Sequence, residues 1–298
     1  MNEKPTVCVV GSINMDLTVS TSVIPNQGET VLGESFATYP GGKGANQAVA
    51  AARLGSDVKM VGAVGHDVFG ISLKEHLQKE GIDTSSTELI GEQSTGTATI
   101  ILSNNDNRII VAPGANRSVT PSYVERHRSA LEGSDVILLQ MEIPLDTISY
   151  VVTIAKEAGI PVILNPAPYQ PLPSSILNQV DYMTPNALEA ELFKQDLIDD
   201  DLLQKWITTK GEQGSSLYIN GKEVNIPGYS VLVKDTTGAG DTFNGALATQ
   251  LAKGISLKKA VSFANAAAAL SVTEKGAQGG MPTLSGVENF IIERSDEI

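Results

Sequence analysis

The chain has 298 residues, 41% hydrophobic and 18% charged, with a net charge of −13. That length buries a large core and that composition excludes general disorder; no apolar run reaches the ~18 residues of a membrane span, and so acidic a surface argues against nucleic acid as a partner. The single cysteine, Cys8, excludes an intrachain disulfide, and His66, His76 and His127 lie too far apart for paired zinc ligands. The chain enters an apolar strand, Thr6–Val10, straight after Lys4-Pro5 with no signal-peptide pattern, so a cytoplasmic protein is expected. Within that strand Cys8 reads as a small buried hydrophobe. An Ala-rich helix, Gly44–Leu54, is closed by Gly55, and a strand Val58–Val61 and a helix Val68–Lys79 follow. Further strands are predicted at Asp135–Leu139, Pro161–Leu164, Asp181–Met183 and Trp206–Thr209. Helices fall between them at Pro121–Leu131, Leu145–Glu157 and Ala187–Phe193, and two more close the chain at Asp241–Lys253 and Leu257–Ser271. The alternation predicts an α/β fold with a mainly parallel sheet flanked by helices.

Two stretches break the alternation. Leu17–Thr38 is β-branched without helical period, and Thr95–Val111 reads as two strands around Asn104-Asn105-Asp106-Asn107. Together they predict a small second β-layer covering a site on the main sheet, as water-excluding lids do. Asn220-Gly221 marks a third hairpin, and Ser295 to Ile298 read as a frayed end. Length alone fits two domains or one α/β domain with an insertion. With no linker in the sequence, one domain over 1–298 is expected, its β lid formed by about 15–40 and 95–112.

Four motifs carry chemistry. Asp235-Thr236-Thr237-Gly238-Ala239-Gly240-Asp241 runs into a helix, where small residues let backbone amides converge on an anion. An aspartate at the mouth of such a hole suits a general base, and equally a helix N-cap. The third glycine of a dinucleotide fingerprint is Phe243, and Gly41-Gly42-Lys43-Gly44 lacks the Ser or Thr of a Walker loop. That second motif, Gly41 to Asn46, offers Lys43 and Asn46 to a polyhydroxylated ligand, or is a plain glycine-rich helix start. Asn14-Met15-Asp16 follows the first strand, where a carboxylate can accept from a vicinal diol or serve a turn. Asn186 and Glu189 stand three apart at a helix start, suited to hydrated Mg²⁺ or to a capping box.

As an ordered set these residues resemble the ribokinase-like (PfkB) carbohydrate kinases over nearly the whole chain. Gly41–Gly55 is similar to the family's first signature and Asp235–Ala248 to its second. Asn14-Met15-Asp16, Leu139-Gln140-Met141-Glu142, Leu164-Asn165-Pro166-Ala167-Pro168 and Lys275-Gly276-Ala277-Gln278 resemble its ribokinase branch more than the fructokinase or adenosine kinase branches. The resemblance implies ATP-dependent phosphorylation of the 5-hydroxyl of D-ribose, with another furanose or nucleoside kinase, or a low-turnover sugar or nucleotide binder, as the alternatives. It implies that Asp241 is the base and that Gly238, Ala239 and Gly240 form the anion hole. It assigns the sugar hydroxyls to Asn14, Asp16, Gly42, Lys43, Asn46 and Glu142. It assigns the nucleotide and its Mg²⁺ to Asn186 and Glu189, with Thr209, Gly211, Gly214 and Asn265 around the nucleotide. It implies an activating K⁺ on Asp235 and Thr237 with the carbonyls of Val272, Lys275 and Ala277, and a homodimer through the lid. The sequence departs from the family between Asn186 and Thr209, which are closer than usual, and at Lys210, where an apolar residue is usual.

Overall fold

A computed structural model of the chain describes residues 4–103, 106–196 and 200–295. The first half runs β1 (Thr6–Val10), β2 (Asn14–Ser20), β3 (Ser35–Gly41), α1 (Lys43–Arg53), β4 (Asp57–Gly65), α2 (Val68–Lys79), β5 (Thr87–Ile90), β6 (Gly96–Ser103), β7 (Asp106–Ala112), α3 (Pro121–Arg126) and α4 (Arg128–Glu132). It continues through β8 (Val136–Gln140), α5 (Leu145–Ala158), β9 (Val162–Asn165), α6 (Ser174–Leu177), β10 (Tyr182–Met183), α7 (Ala187–Asp196) and β11 (Ile207–Thr209). The last elements are β12 (Ser215–Ile219), β13 (Lys222–Ile226), α8 (Ala239–Ala252), α9 (Leu257–Ser271) and α10 (Leu284–Ser295).

The main sheet has six parallel strands in the order β10-β9-β8-β1-β4-β5. Its two central strands, β1 and β8, are apolar except at the first residue of one, Thr6, and the last of the other, Gln140, because helices cover both faces. Successive side chains of β1 divide between two cores: Val7 and Val9 pack with α1, α8 and α9, while Cys8 and Val10 pack with α3 and α5. Burial pushes the Cys8 thiol up to about 12, as befits a hydrophobe. The order reverses between β1 and β8, and in open parallel sheets the crevice beyond such a reversal is where ligands sit.

The two β-branched stretches form a second sheet of four strands, β3-β2-β6-β7. Its inner pair, β2 and β6, is parallel, and each outer strand is antiparallel to its neighbour. Part of the predicted hairpin turn, Asn104-Asn105, lies outside the described residues, as do the last three positions of the predicted frayed end. The Asn220-Gly221 hairpin is present as β12–β13, with φ of 52° and 75° at the two turn residues, the left-handed pair such a turn requires.

Four elements differ from the sequence reading. The strand predicted at Trp206–Thr209 joins β12 antiparallel in a three-stranded sheet rather than extending the main sheet; single parallel bridges, Met183 to Trp206 and Asn186 to Thr209, keep it beside the end of β10. The helix predicted over Pro121–Leu131 breaks at His127, whose φ of −110° ends α3 while its ring reaches Glu88 at 2.8 Å. The short edge strand β5 and the terminal helix α10 carry too little periodicity to be read from sequence.

Candidate active site

Two helices fix the frame of the crevice. Gly245 of α8 lies so close to α1 that a Cβ there would stand 2.6 Å from Ala50 Cβ. The small residues of α1 thus bring its first turn, with Asn46 and Gln47, against the first turn of α8, which carries Asp241. At the other end of the contact, Ser56 Oγ donates to Thr249 Oγ1 at 2.9 Å. Gly44 serves the same closeness, since a Cβ there would stand 2.6 Å from the Gly11 carbonyl carbon at the end of β1.

On one side of the crevice the structure gathers Asn14, Asp16, Gly42, Lys43, Asn46 and Glu142. Asn14 opens β2, and its Oδ1 accepts from Asn116 Nδ2 at 2.7 Å. Gly41 packs flat on the Asp16 carboxylate, and Gly42, the N-cap of α1, sits at φ 88° with no room for a Cβ beside the Asn14 amide. Glu142 follows β8; its Oε2 accepts from Ser12 Oγ at 2.5 Å and from the Lys43 amide at 3.1 Å. Burial, reinforced by the charges of Glu142 and Asp241, pushes the Asp16 carboxyl up to about 7. Burial works against the Lys43 ammonium, but the carboxylates of Asp241, Glu142 and Glu189 outweigh it and raise its pKa. One half-buried cation therefore serves the carboxylates on both sides of the crevice.

Asp241 is 8% exposed and stands at the centre. Its Oδ2 accepts from Asn46 Nδ2 at 2.9 Å and its Oδ1 from Gln47 Nε2 at 3.0 Å. The alternative reading of Asp241 as an N-cap fails, because α8 begins at Ala239 and its N-cap is Gly238, left-handed at φ 81°. Asp241 is the third residue of the first turn, where amides have no intrahelical partner; Ala239 and Gly240 line the crevice, and the Ala239 amide donates to the Thr236 carbonyl at 3.3 Å. Gly238, Ala239 and Gly240 lie in this turn. Thr184 Oγ1 donates to Asn244 Oδ1 at 2.6 Å and ties α8 to the end of β10.

Asn186 and Glu189 form the reciprocal capping box that the spacing predicts: the Asn186 amide donates to Glu189 Oε2 at 2.9 Å, and the Glu189 amide to Asn186 Oδ1 at 2.8 Å. Burial raises the pKa of Glu189, only partly offset by the Asn186 amide and the Lys43 charge. Asn186 opens onto a cavity of about 850 Å³ whose wall includes Thr209, Gly211, Gly214, Gly240, Asn265 and Val272. Asn265 faces this cavity but spends its polar atoms on the protein: Oδ1 accepts from Ser215 Oγ at 3.1 Å, and Nδ2 donates to the carbonyls of Ile226 and Pro227. Lys210, at the position where the sequence departs from the family, pairs with Glu223 at 3.0 Å.

Asp235 is gripped at both oxygens, Oδ1 by the Thr237 amide and hydroxyl and Oδ2 by the Gly276 amide at 2.8 Å. Burial raises its pKa, but these hydrogen bonds and the Lys275 charge outweigh it and hold the carboxyl below its ordinary value. The Val272 carbonyl accepts from the amides of Lys234 and Asp235, which engages both its lone pairs. Gly238 lies against Ala277, with the Ala277 carbonyl 2.8 Å from where a Cβ would be. Among the described residues no group of three or more His, Cys, Asp or Glu could hold a metal by itself.

Sequence reasoning missed a set of buried amides behind Asp241. Gln47 Nε2 also donates to Asn165 Oδ1 at 3.0 Å, and Gln140 Nε2 donates to Gln47 Oε1 at 2.7 Å. On the other flank Gln278 Nε2 donates to Asn46 Oδ1 at 2.9 Å, and its own Oε1 meets His76 Nε2 at 2.7 Å. The available signal was an amide side chain closing each of two apolar strands, Gln140 on β8 and Asn165 on β9.

The profile of the pfkB family carbohydrate kinases matches residues 4–284. The chain belongs to that family. Among curated relatives, a ribokinase of Bacillus subtilis is 46% identical over 96% of this chain and 99% of its own length. Among solved structures, Arabidopsis thaliana ribokinase complexed with ribose and ATP superposes with a TM-score of 0.89 at 31% identity, covering 97% of this chain and 99% of that one. Thermotoga maritima ribokinase does so at 0.87 and 35%, with the same coverage. A carbohydrate kinase transfers a phosphoryl group from a nucleotide to a sugar hydroxyl, and here Asp241 stands between the polar side-chain cluster and the glycine-walled cavity. Among the described residues no helix is long and apolar enough to cross a membrane.

Proposed function

We propose that this chain is an ATP-dependent kinase that phosphorylates the 5-hydroxyl of D-ribose. The observation that carries the reading is the placement of Asp241, a buried carboxylate with both oxygens held by neutral amides, at the amide-rich start of α8. A carboxylate at an anion hole repels a phosphate, and accepting a proton from the attacking hydroxyl gives it a reason to be there. The sugar lies on the side of Asn14, Asp16, Gly42, Lys43, Asn46 and Glu142, where carboxylates accept from hydroxyls and amides complete the set. The nucleotide occupies the cavity beside Asn186, Thr209, Gly211 and Gly214, with Asn265 shaping its wall. As the 5-hydroxyl oxygen bonds to the γ-phosphorus, its proton passes to Asp241 and the bond to the β-phosphate oxygen breaks, releasing ADP. The amides of the Gly238–Gly240 turn meet the charge that spreads over the transferring oxygens.

The acidic surface makes a cation useful here. The capping box uses Glu189 Oε2 and leaves Oε1 for a hydrated Mg²⁺ beside Asn186. Such an ion, when bound, neutralises charge on the nucleotide phosphates. A K⁺ fits the hard oxygens of Asp235, Thr237, Lys275 and Ala277, while the Val272 carbonyl clamps the same loop to the end of α9. Activity in K⁺ buffer is expected well above that in Na⁺ buffer, and equal rates would remove the K⁺ assignment.

The four-stranded sheet exposes Phe36, Tyr39, Ile109, Ile110 and Val111. An apolar β surface of this kind favours burial by a second copy, so the protein forms a homodimer through this lid. Sedimentation as a monomer at micromolar concentration would overturn it. One domain over 1–298 with this sheet as its lid, acting in the cytoplasm where ATP and free pentose meet, completes the reading.

ADP production with a panel of ribose, 2-deoxyribose, fructose and adenosine tests the function. Turnover is expected to be fastest with ribose. Loss of the 2-hydroxyl would leave buried polar groups near Asn14 unpaired, which disfavours 2-deoxyribose. No ADP production with any sugar that binds would make the chain a binder.

A further inference from the structure

Asp241 is held from two sides, and the two sides are built differently. Asn46, which donates to Oδ2, belongs to the sugar side. Gln47, which donates to Oδ1, is fully buried and faces the strand ends behind. Both Gln47 donors are used, on Asp241 and Asn165, and its Oε1 accepts from Gln140. The amide therefore has one working orientation: turned over, it would set an oxygen against the carboxylate and a donor against the Gln140 donor.

Gln140 holds that orientation at its own expense. Its Oε1 is one of three buried side-chain polar atoms without a hydrogen-bond partner among the described residues, and it rests against Gly11, where a Cβ would stand 2.1 Å away. Buried acceptors are almost always satisfied, so an orphan needs a reason. An apolar side chain at position 140 would remove the orphan but would also free the Gln47 amide to turn.

We propose that Gln47 is a positioning residue for phosphoryl transfer: its amide, oriented by Gln140 and Asn165, anchors Oδ1 of Asp241 so that Oδ2 faces the sugar and takes the hydroxyl proton. The inference rests on Asp241 as the base. It assigns the proton to one oxygen, with the phosphorus–oxygen bonds made and broken as above.

The test measures kcat, ribose KM and ATP KM for Gln47→Ala and Gln140→Leu, each in the wild-type and Asp241→Asn backgrounds. Misplacing a reacting group by about 1 Å costs up to ~10²-fold, so Gln47→Ala is expected to lower kcat about 10- to 100-fold with ribose KM within about threefold. Gln140→Leu loses less, about 3- to 10-fold. In the Asp241→Asn background, read by single turnover, neither change costs anything further, because a residue that acts only through Asp241 has nothing left to position. A merely structural residue would cost the same factor in both backgrounds, and that result overturns the proposal. So does a folded Gln47→Ala with kcat within about threefold of wild type. Should Gln47→Ala fail to fold, Gln140→Leu decides by the same two criteria. An inactive Asp241→Asn beside a fully active Gln47→Ala removes only the positioning role, whereas an active Asp241→Asn removes the base itself.

Discussion

On the side of the crevice lined by Asn14, Asp16, Asn46 and Glu142, side chains from several elements hold one another, down to the amides of Gln47, Gln140 and Asn165 behind them. On the side lined by Thr209, Gly211 and Gly214, backbone turns do the shaping, and the side chains of Asn265 and Lys210 are spent on the protein. Recognising a small polyol needs directional donors and acceptors fixed in place, which only interlocked side chains supply. A nucleotide offers a flat base and a chain of phosphates, which a glycine-shaped wall and helix-end amides can take up. Substitutions on the first side should therefore disturb chemistry and sugar affinity, and those on the second backbone shape.

Asp241→Asn strikes where the two sides meet. Asn46 and Gln47 both donate to this side chain, so an asparagine must present its own donor to one of them, and it cannot take the proton. We expect kcat to fall by roughly 10²–10⁴-fold with little change in melting temperature. Turnover within a few-fold of wild type would end the proposed mechanism.

Asp16→Asn sharpens the contrast on the sugar side alone. The hydroxyls that the proposed function gives it do not react, so ribose KM should rise on the order of tenfold while kcat changes little. The same variant has a pH signature. Burial and the charges of Glu142 and Asp241 raise the native Asp16 carboxyl to about 7, above its unfolded value. The neutral group's contribution to stability is thus complete below the unfolded pKa and is lost as pH rises through about 7. Thermal melting of the ligand-free wild type should lose a few degrees relative to Asp16→Asn between about pH 4 and 8; parallel curves would contradict the assigned environment.

Gly214→Val tests the backbone side. Gly214 sits at φ 87° with the Ile226 carbonyl 2.2 Å from where a Cβ would be, so the wall must shift. ATP KM should rise about tenfold and stability fall by about 1–3 kcal/mol, with ribose binding by calorimetry unchanged. Gly211→Ala is the control: φ is 58° but nothing lies within 4 Å, so only the left-handed backbone cost of about 1 kcal/mol applies. Equal effects at the two positions would deny that the wall's packing matters. The smallest effect is expected for Lys210→Ala, which removes a partly exposed pair with Glu223: under ~1 kcal/mol, and ATP KM within about twofold.

The same contrast explains what could be read in advance. Regular apolar runs reveal the parallel sheet and most helices, and helix α9 matches the predicted Leu257–Ser271 at both ends. Asn186 and Glu189 reveal their capping box because its partners are three residues apart. The amide set behind Asp241 joins residues as far apart as Asn46 and Gln278, and nothing local to either marks the pairing. Trp206–Thr209 has the composition of a strand, but its sheet was decided by the hairpin that follows it. The break at His127 came from a tertiary contact to Glu88, invisible in the helical pattern around it.

The four-stranded sheet has its two inner roots side by side, Asn14 opposite Gly96, and Asn116 bonded to both Ile13 and Asn14 just where they leave the body. The outer strands meet the body at the same end, Gly41 and Ala112 flanking the inner roots, so the plate is held along a single edge. From Asn14 to Ser20 the inner strand is about 20 Å long at ~3.3 Å per residue, so a tilt of about 10° at the root carries the far edge some 3–4 Å. Asn14, which the proposed function sets against a sugar hydroxyl, thus sits at the held edge, where a tilt displaces the sheet least.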